Sequence, residues 1–200
     1  MSEPCRVAVM VSGGGTNLAA IIKARDAGII KSGEIVLVCS NNQDAYALER
    51  AKNAGISTFC FTGEDGEVKL IQKLTDEKID LIVLAGFLKI LSREFTERFA
   101  GRIINIHPAL LPSFGGKGCY GIHVHEKALD YGVKVTGATV HFVNEVPDGG
   151  RIIAQKAVYV KDDDTPETLQ KRVMEEAEWI ILPEAVETVC RKIQEEKDEL

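Results

Sequence analysis

Val7-Ala8-Val9-Met10-Val11-Ser12-Gly13-Gly14-Gly15-Thr16-Asn17-Leu18-Ala19-Ala20-Ile21-Ile22 runs from an unbroken apolar stretch, through three glycines, into a helix-forming segment. Val7 to Val11 reads as a strand buried on both faces, as in a parallel sheet. The helix begins at Leu18 and Gly28 caps its end. Consecutive glycines let the backbone approach a ligand, and the helix N-terminus behind them offers unpaired N–H groups and the positive end of a dipole. Phosphate is the natural occupant. The spacing is not Gly-x-Gly-x-x-Gly, and no Lys-Ser/Thr follows. A dinucleotide fingerprint or triphosphate loop is therefore unsupported, and a monophosphate is expected.

Outward from this unit the pattern repeats. Ile35 to Cys39 is a second strand. Asp44 to Ala54 is a helix closed by Gly55, and Thr58 to Phe61 is a weaker strand. Glu67 to Thr75 places Val68, Ile71 and Leu74 at helical spacing. Leu81 to Leu84 is a fourth strand, Ser92 caps a short helix through Phe99, and Arg102 to Ile104 is another buried strand. The alternation implies an α/β fold, a Rossmann-like, mostly parallel twisted sheet with flanking helices. Right-handed crossovers bring several strand ends to one crevice. Farther on, Leu111 to Gly121 is a glycine-containing loop and Val124 to Tyr131 a helix. Lys134 to Val143 and Arg151 to Val160 form C-terminal antiparallel strands. Thr165-Pro166-Glu167 starts a long terminal helix. It runs toward Lys192, is interrupted at Pro183, and ends in a charged, frayed tail from Gln194 to Leu200.

The chemistry concentrates at Asn105-Ile106-His107-Pro108, closed by Leu111-Pro112 and followed downstream by Val146-Pro147-Asp148-Gly149-Gly150. Asn can donate a hydrogen bond to a developing oxyanion. His donates when protonated and accepts a proton when not. The Pro-Asp-Gly-Gly turn can return a carboxylate to that imidazole.

The chain has 200 residues, 45% hydrophobic and 27% charged, which suits one globular domain with a sizeable core. Its net charge of -6, from 24 basic and 30 acidic residues, argues against a general nucleic-acid surface. Five scattered cysteines without a Cys-x-x-Cys pair suit a reducing compartment. Met1-Ser2-Glu3-Pro4 carries no secretory pattern, and no apolar run reaches membrane-span length. Cytoplasmic is the expected location, with no membrane or nucleic-acid partner. The four histidines are not at zinc spacing with cysteines, so no metal is expected.

Three segments in order, Ser12 to Asn17, Leu84 to Ser92, and Asn105-Ile106-His107-Pro108 with Asp148-Gly149-Gly150, resemble the folate-dependent formyltransferases. The glycine loop points to the phosphoribosylglycinamide formyltransferases of purine biosynthesis. The resemblance spans about Arg6 to Pro183. It implies the formyltransferase fold over a single domain, 1–200. A phosphate-binding half covers about 1–100, and a folate and catalytic half covers about 101–200. It implies that Gly14, Gly15, Thr16 and Asn17 hold the substrate phosphate and that Glu178 contacts its ribose. Phe87, Leu88, Lys89, Ile90 and Leu91, with Asn105 and Val143, border the folate. Asn105, His107 and Asp148 perform the transfer, and His141 is structural.

The reaction implied is formyl transfer from 10-formyltetrahydrofolate to the amine of glycinamide ribonucleotide. These are small-molecule substrates of a monomer or homodimer. Asn105 and an imidazolium His107 donate to the tetrahedral oxyanion, and Asp148 favours the charged imidazole. Departures from the family pattern fall at Gly115 to Tyr120, inserted beside the folate, at His123, and at Trp179, where a histidine often stands. The region near Gly63 also lacks an arginine that some members have. A methionyl-tRNA formyltransferase would add a basic C-terminal domain, and a formyltetrahydrofolate hydrolase would place a regulatory domain first. A non-enzymatic nucleotide-binding protein would have lost one of Asn105, His107 and Asp148.

Overall fold

A computed structural model describes residues 3–199. The elements are β1 (Cys5–Val11), α1 (Thr16–Asp26), β2 (Gly33–Ser40), α2 (Tyr46–Asn53), β3 (Ser57–Cys60), α3 (Gly66–Asp76), β4 (Leu81–Leu84) and α4 (Arg93–Arg98). They continue with β5 (Ile103–His107), α5 (Ile122–Tyr131), β6 (Val135–Phe142), β7 (Ile152–Tyr159), α6 (Pro166–Val173), a π-helical turn (Met174–Glu178) and α7 (Trp179–Asp198). The strands form one seven-stranded sheet in the order β3-β2-β1-β4-β5-β6-β7. β1 to β5 pair in parallel, while β6 and β7 add antiparallel. The expected mixed α/β architecture is therefore the observed one.

The two-residue period of β1 divides its side chains between two cores. Val7, Val9 and Val11 pack with α1 and α7 through Leu18, Ile21, Leu182 and Val186. Ala8 and Met10 pack on the opposite face with Leu70 and Leu74 of α3 and with Phe95 and Phe99. Both faces are covered, which is why the parallel strands read as continuous apolar runs. The edge strand β7 is mostly exposed and carries Lys156 in mid-strand, a charge that discourages further pairing.

Local signals set several boundaries. Ser92 caps α4 by accepting from the Phe95 N–H at 3.1 Å. Thr165 and Thr168 form a reciprocal capping box ahead of α6, with Pro166 in the first turn. Gly28 (φ 69°) and Gly55 (φ 70°) adopt the left-handed conformation after α1 and α2.

Three expectations are corrected. In α3 the buried spacing is Leu70 and Leu74, and Val68 is 64% exposed. Pro183 does not interrupt the terminal helix; it lies buried inside α7. The irregularity lies one turn earlier, in the π turn, whose exit residue Trp179 has ψ −6°. That angle tilts the Trp179 carbonyl, the group a proline ring at position 183 would strike. Gln194 to Asp198 stay helical rather than fraying, and Leu200 lies outside the described residues.

The strand order reverses between β1 and β4, neighbours whose crossovers lead to opposite sides of the sheet. In an open parallel sheet this switch point leaves a crevice beyond the strands' carboxyl ends. The loops after β1, β4 and β5 all meet there.

Candidate active site

Asn105 and His107 are two residues apart on β5 and so share a face. The antiparallel register sets His141 directly opposite Asn105, and Thr139 opposite His107. Between Val140 and His141 the register with β7 slips, leaving Ile153 as an extra residue beside His141. Such a bulge bends the strand and re-aims side chains. His141 Nδ1 lies 2.8 Å from the Phe142 carbonyl and must donate to it. Its Nε2 is then the acceptor for the Asn105 amide at 3.1 Å. One Asn105 N–H is thereby held, and the second remains for a ligand.

Asp148 arrives by the expected turn. Gly149 N–H donates to the Val146 carbonyl at 3.0 Å, and a side chain on Gly150 would overlap the Phe142 carbonyl. Asp148 itself has φ 57°. Its Oδ2 lies 3.6 Å from His107 Nδ1, and its Oδ1 lies 3.6 Å from His141 Nε2. The Gly116 N–H donates to Oδ2 at 2.8 Å. Burial pushes this carboxyl up. Its contacts with His141 and His107 and the Gly116 N–H outweigh burial and hold it below the usual range.

His107 is 4% exposed, and its Nε2–H donates to the Phe114 carbonyl at 2.9 Å. Burial lowers its pKa, and the opposing pull of Asp148 and Phe114 does not restore it. Burial thus tilts His107 toward its neutral form, with Nδ1 turned to Asp148. Asp148 favours the charged ring, as expected, but burial works against it.

Two cavities meet at these residues. The larger, about 470 Å³, is lined by Phe87, Leu88, Lys89, Ile90, Leu91 and Val143, which share it with Gly116 to Tyr120 of the loop after β5. The smaller, about 200 Å³, contains Asn17, His107, His125, Gln170, Met174 and Glu178. Asn105 and Asp148 line both. Glu178 closes the π turn rather than lying on a regular helix, and is 6% exposed. Asn17 donates to its Oε2 at 2.7 Å. Burial pushes Glu178 up to about 7, against that hydrogen bond. The Asn17 Oδ1 and both ring nitrogens of His125 are buried and find no partner among the described residues. Unpaired buried polar atoms in a cavity are what a polar ligand would satisfy.

The glycine loop divides its labour. Gly15 has φ 70°, and an added Cβ would sit 2.6 Å from the Ala47 Cβ, so it is required by the packing of α1 on α2. Gly13 and Gly14 face open space. Arg50 Nε–H donates to the Gly14 carbonyl at 2.8 Å, placing a guanidinium beside the helix N-terminus. Gly14, Gly15 and Thr16 line neither of the two cavities, whereas Asn17 lines the smaller. Ser12 ties the loop to the segment after β4: its Oγ accepts the Leu88 N–H at 2.9 Å and donates to Asn41 Oδ1 at 2.8 Å.

Sequence reasoning missed Arg50, His125 and Gln170, and read His141 as structural. Only His141 carried a signal, its alternation with Thr139 toward β5. His123 is exposed, 2.7 Å from Glu126, and outside both cavities; Trp179 borders a separate groove beside α1. Among the described residues no three His, Cys, Asp or Glu side chains cluster as metal ligands, and no helix is long and apolar enough to cross a membrane.

A formyl transferase family profile matches residues 5–186. The chain is 43% identical over 199 residues to the chloroplastic phosphoribosylglycinamide formyltransferase of Arabidopsis thaliana, covering 95% of this chain and 68% of that protein. It is 42% identical over 184 residues to the phosphoribosylglycinamide formyltransferase of Haemophilus influenzae, covering 89% and 84%. The solved glycinamide ribonucleotide transformylase 1 of Symbiobacterium toebii superposes with a TM-score of 0.87 at 38% identity, covering 94% and 89%. The chain belongs to the formyl transferase family, among the phosphoribosylglycinamide formyltransferases.

Proposed function

We propose that the protein transfers the formyl group of 10-formyltetrahydrofolate to the amine of glycinamide ribonucleotide, giving formylglycinamide ribonucleotide and tetrahydrofolate. The observation that carries this reading is that Asn105 and Asp148 line both cavities. A formyl donor in the larger and an amine in the smaller meet at these side chains.

The larger cavity suits a flat apolar ring with polar edges, between Phe87, Leu88 and Val143. The smaller suits a sugar hydroxyl and an amide, facing Glu178, the free Asn17 Oδ1 and His125. The substrate phosphate takes the loop at Gly13 and Gly14, where Arg50 adds positive charge to the N-terminus of α1. Residues 1–200 then act as one domain. Its first half supplies Phe87 to Leu91 to the folate, and its second half supplies Glu178 to the ribose.

In the reaction the amine attacks the formyl carbon, and the carbonyl oxygen becomes negative. The free Asn105 N–H donates to it, an interaction whose loss typically costs about 3 kcal/mol. The attacking nitrogen must lose a proton. Neutral His107 accepts it at Nδ1, directly or by way of Asp148 and water. The imidazolium then lies between Asp148 and the oxyanion, stabilised by both. Collapse returns the proton to the departing folate nitrogen, so protons balance and no covalent enzyme intermediate forms.

Five unpaired thiols fit a reducing, cytoplasmic setting, and the protein acts as a monomer or homodimer on small molecules, without nucleic acid or membrane. An absorbance assay of folate deformylation, with and without glycinamide ribonucleotide, tests the reading. Turnover should require the ribonucleotide; equal rates with water alone would make the protein a hydrolase.

A further inference from the structure

Cys119 lies in the inserted loop at the junction of the two cavities and lines both. It is half-buried, and the Lys127 ammonium donates to its sulfur at 3.2 Å and to the Gly118 carbonyl at 2.8 Å. The other thiols are differently placed. Cys5, Cys39 and Cys190 are fully buried. Burial pushes Cys39 up to about 12. A hydrogen bond with Cys5, and burial behind it, push Cys190 up as well. Cys60 is raised by burial and by Asp44. Thiolate is the reacting form of cysteine. Burial closes Cys5, Cys39 and Cys190 to a reagent, Cys60 is disfavoured as thiolate, and Cys119 opens on the cavities with a cationic donor on its sulfur. The cavity behind Cys119 is built for a ligand: His125 has no exposed surface, lines that cavity, and has both ring nitrogens unpartnered among the described residues.

We propose that Cys119 is a reversible modification site, through which a low-molecular-weight disulfide shuts the enzyme by filling the junction of the two cavities. This rests on the larger cavity being the folate site. The thiol gives its proton to solvent, and Sγ attacks one sulfur of the disulfide. A new S–S bond forms as the old one breaks, and the departing thiolate takes up a proton. One disulfide becomes one mixed disulfide and one free thiol, so the electrons balance. The adduct is anchored beside Asn105 and Asp148, where the formyl group must lie. Free thiol reverses the step by the same exchange.

The test treats the full chain with oxidised glutathione and maps adducts by intact-protein and peptide mass spectrometry. Formyl transfer is measured before treatment, after it, and after dithiothreitol. One glutathione should attach, on Cys119, with activity falling about tenfold or more and returning with dithiothreitol. A saturating folate analogue should slow labelling. Cys119→Ser, judged against its own untreated rate, should lose nothing on treatment. An adduct on Cys60, no adduct, full occupancy of Cys119 with activity intact, or labelling indifferent to the analogue would each overturn the proposal. Untreated protein that transfers no formyl group would instead refute the reading of the pocket, while the adduct map still reports on the thiol.

Discussion

Replacing Asp148 with Asn removes one negative charge and little volume from the junction of the two cavities. The lost charge lies 3.6 Å from His107 Nδ1 and 3.6 Å from His141 Nε2, and its side chain is only 16% exposed. At an effective dielectric of about 20, a charge pair at that distance is worth about 4 kcal/mol. That sets a ceiling on the order of 10³-fold on the loss of kcat. The Asn carbonyl still accepts from Gly116, so the loop keeps its anchor, and residual solvent screens part of the interaction. We expect kcat to fall by on the order of 10²-fold, with a small change in KM for the ribonucleotide. The pH profile gives the sharper readout. His107 must be neutral to accept the amine proton, so activity rises as pH passes its pKa. Asp148 raises that pKa against burial, and removing the charge should move the acid limb to lower pH. Steady-state kinetics across pH, beside thermal melts, make the measurement. A folded Asp148→Asn protein with kcat within threefold of the parent and an unmoved acid limb would remove Asp148 from the mechanism.

Gly14→Ala should fold normally, because its Cβ meets open space, and raise the ribonucleotide KM by crowding the loop proposed to take the phosphate. Gly15→Ala should instead lose about 2–4 kcal/mol of stability, from positive φ and collision with Ala47, and denaturant melts with phosphate-protection titrations separate the two. Glu178 is raised to about 7, so its protonated form fits the fold and that stability is lost as pH climbs from about 4.5 through 7. Glu178→Gln should therefore melt higher above pH 7, by on the order of 3 kcal/mol, with the gap closing in acid; parallel melting curves would show that burial does not govern this carboxyl. His125 is lowered to about 4 by burial and by His107, so stability present above about 6.5 is lost as pH falls through 4. His125→Asn should flatten that acid limb in pH-dependent melts.

What lay within a few consecutive residues was legible in the chain. The apolar run of β1, the glycines before α1, Ser92 at α4 and Thr165-Pro166 at α6 each act through local backbone geometry, and each stands where that geometry requires. The Asn105-Ile106-His107-Pro108 cluster likewise marked the site, and Asp148-Gly149-Gly150 a returning turn; that β5 runs on to His107 and so gives Asn105 and His107 one face was not legible. Other features depended on elements distant in the chain. Nothing near Gly15 announces Ala47, so whether that glycine serves a ligand or helix packing was settled by how α2 docks on α1. His141 gained its partners from the antiparallel register with β5 and the slip opposite β7, neither of which its neighbours encode. Glu178 reached Asn17, 161 residues away, through one π turn that a helical pattern cannot reveal. The balance on His107 was set last, because desolvation depends on everything packed around a ring: sequence named its carboxylate partner, and tertiary burial lowers its pKa against that partner.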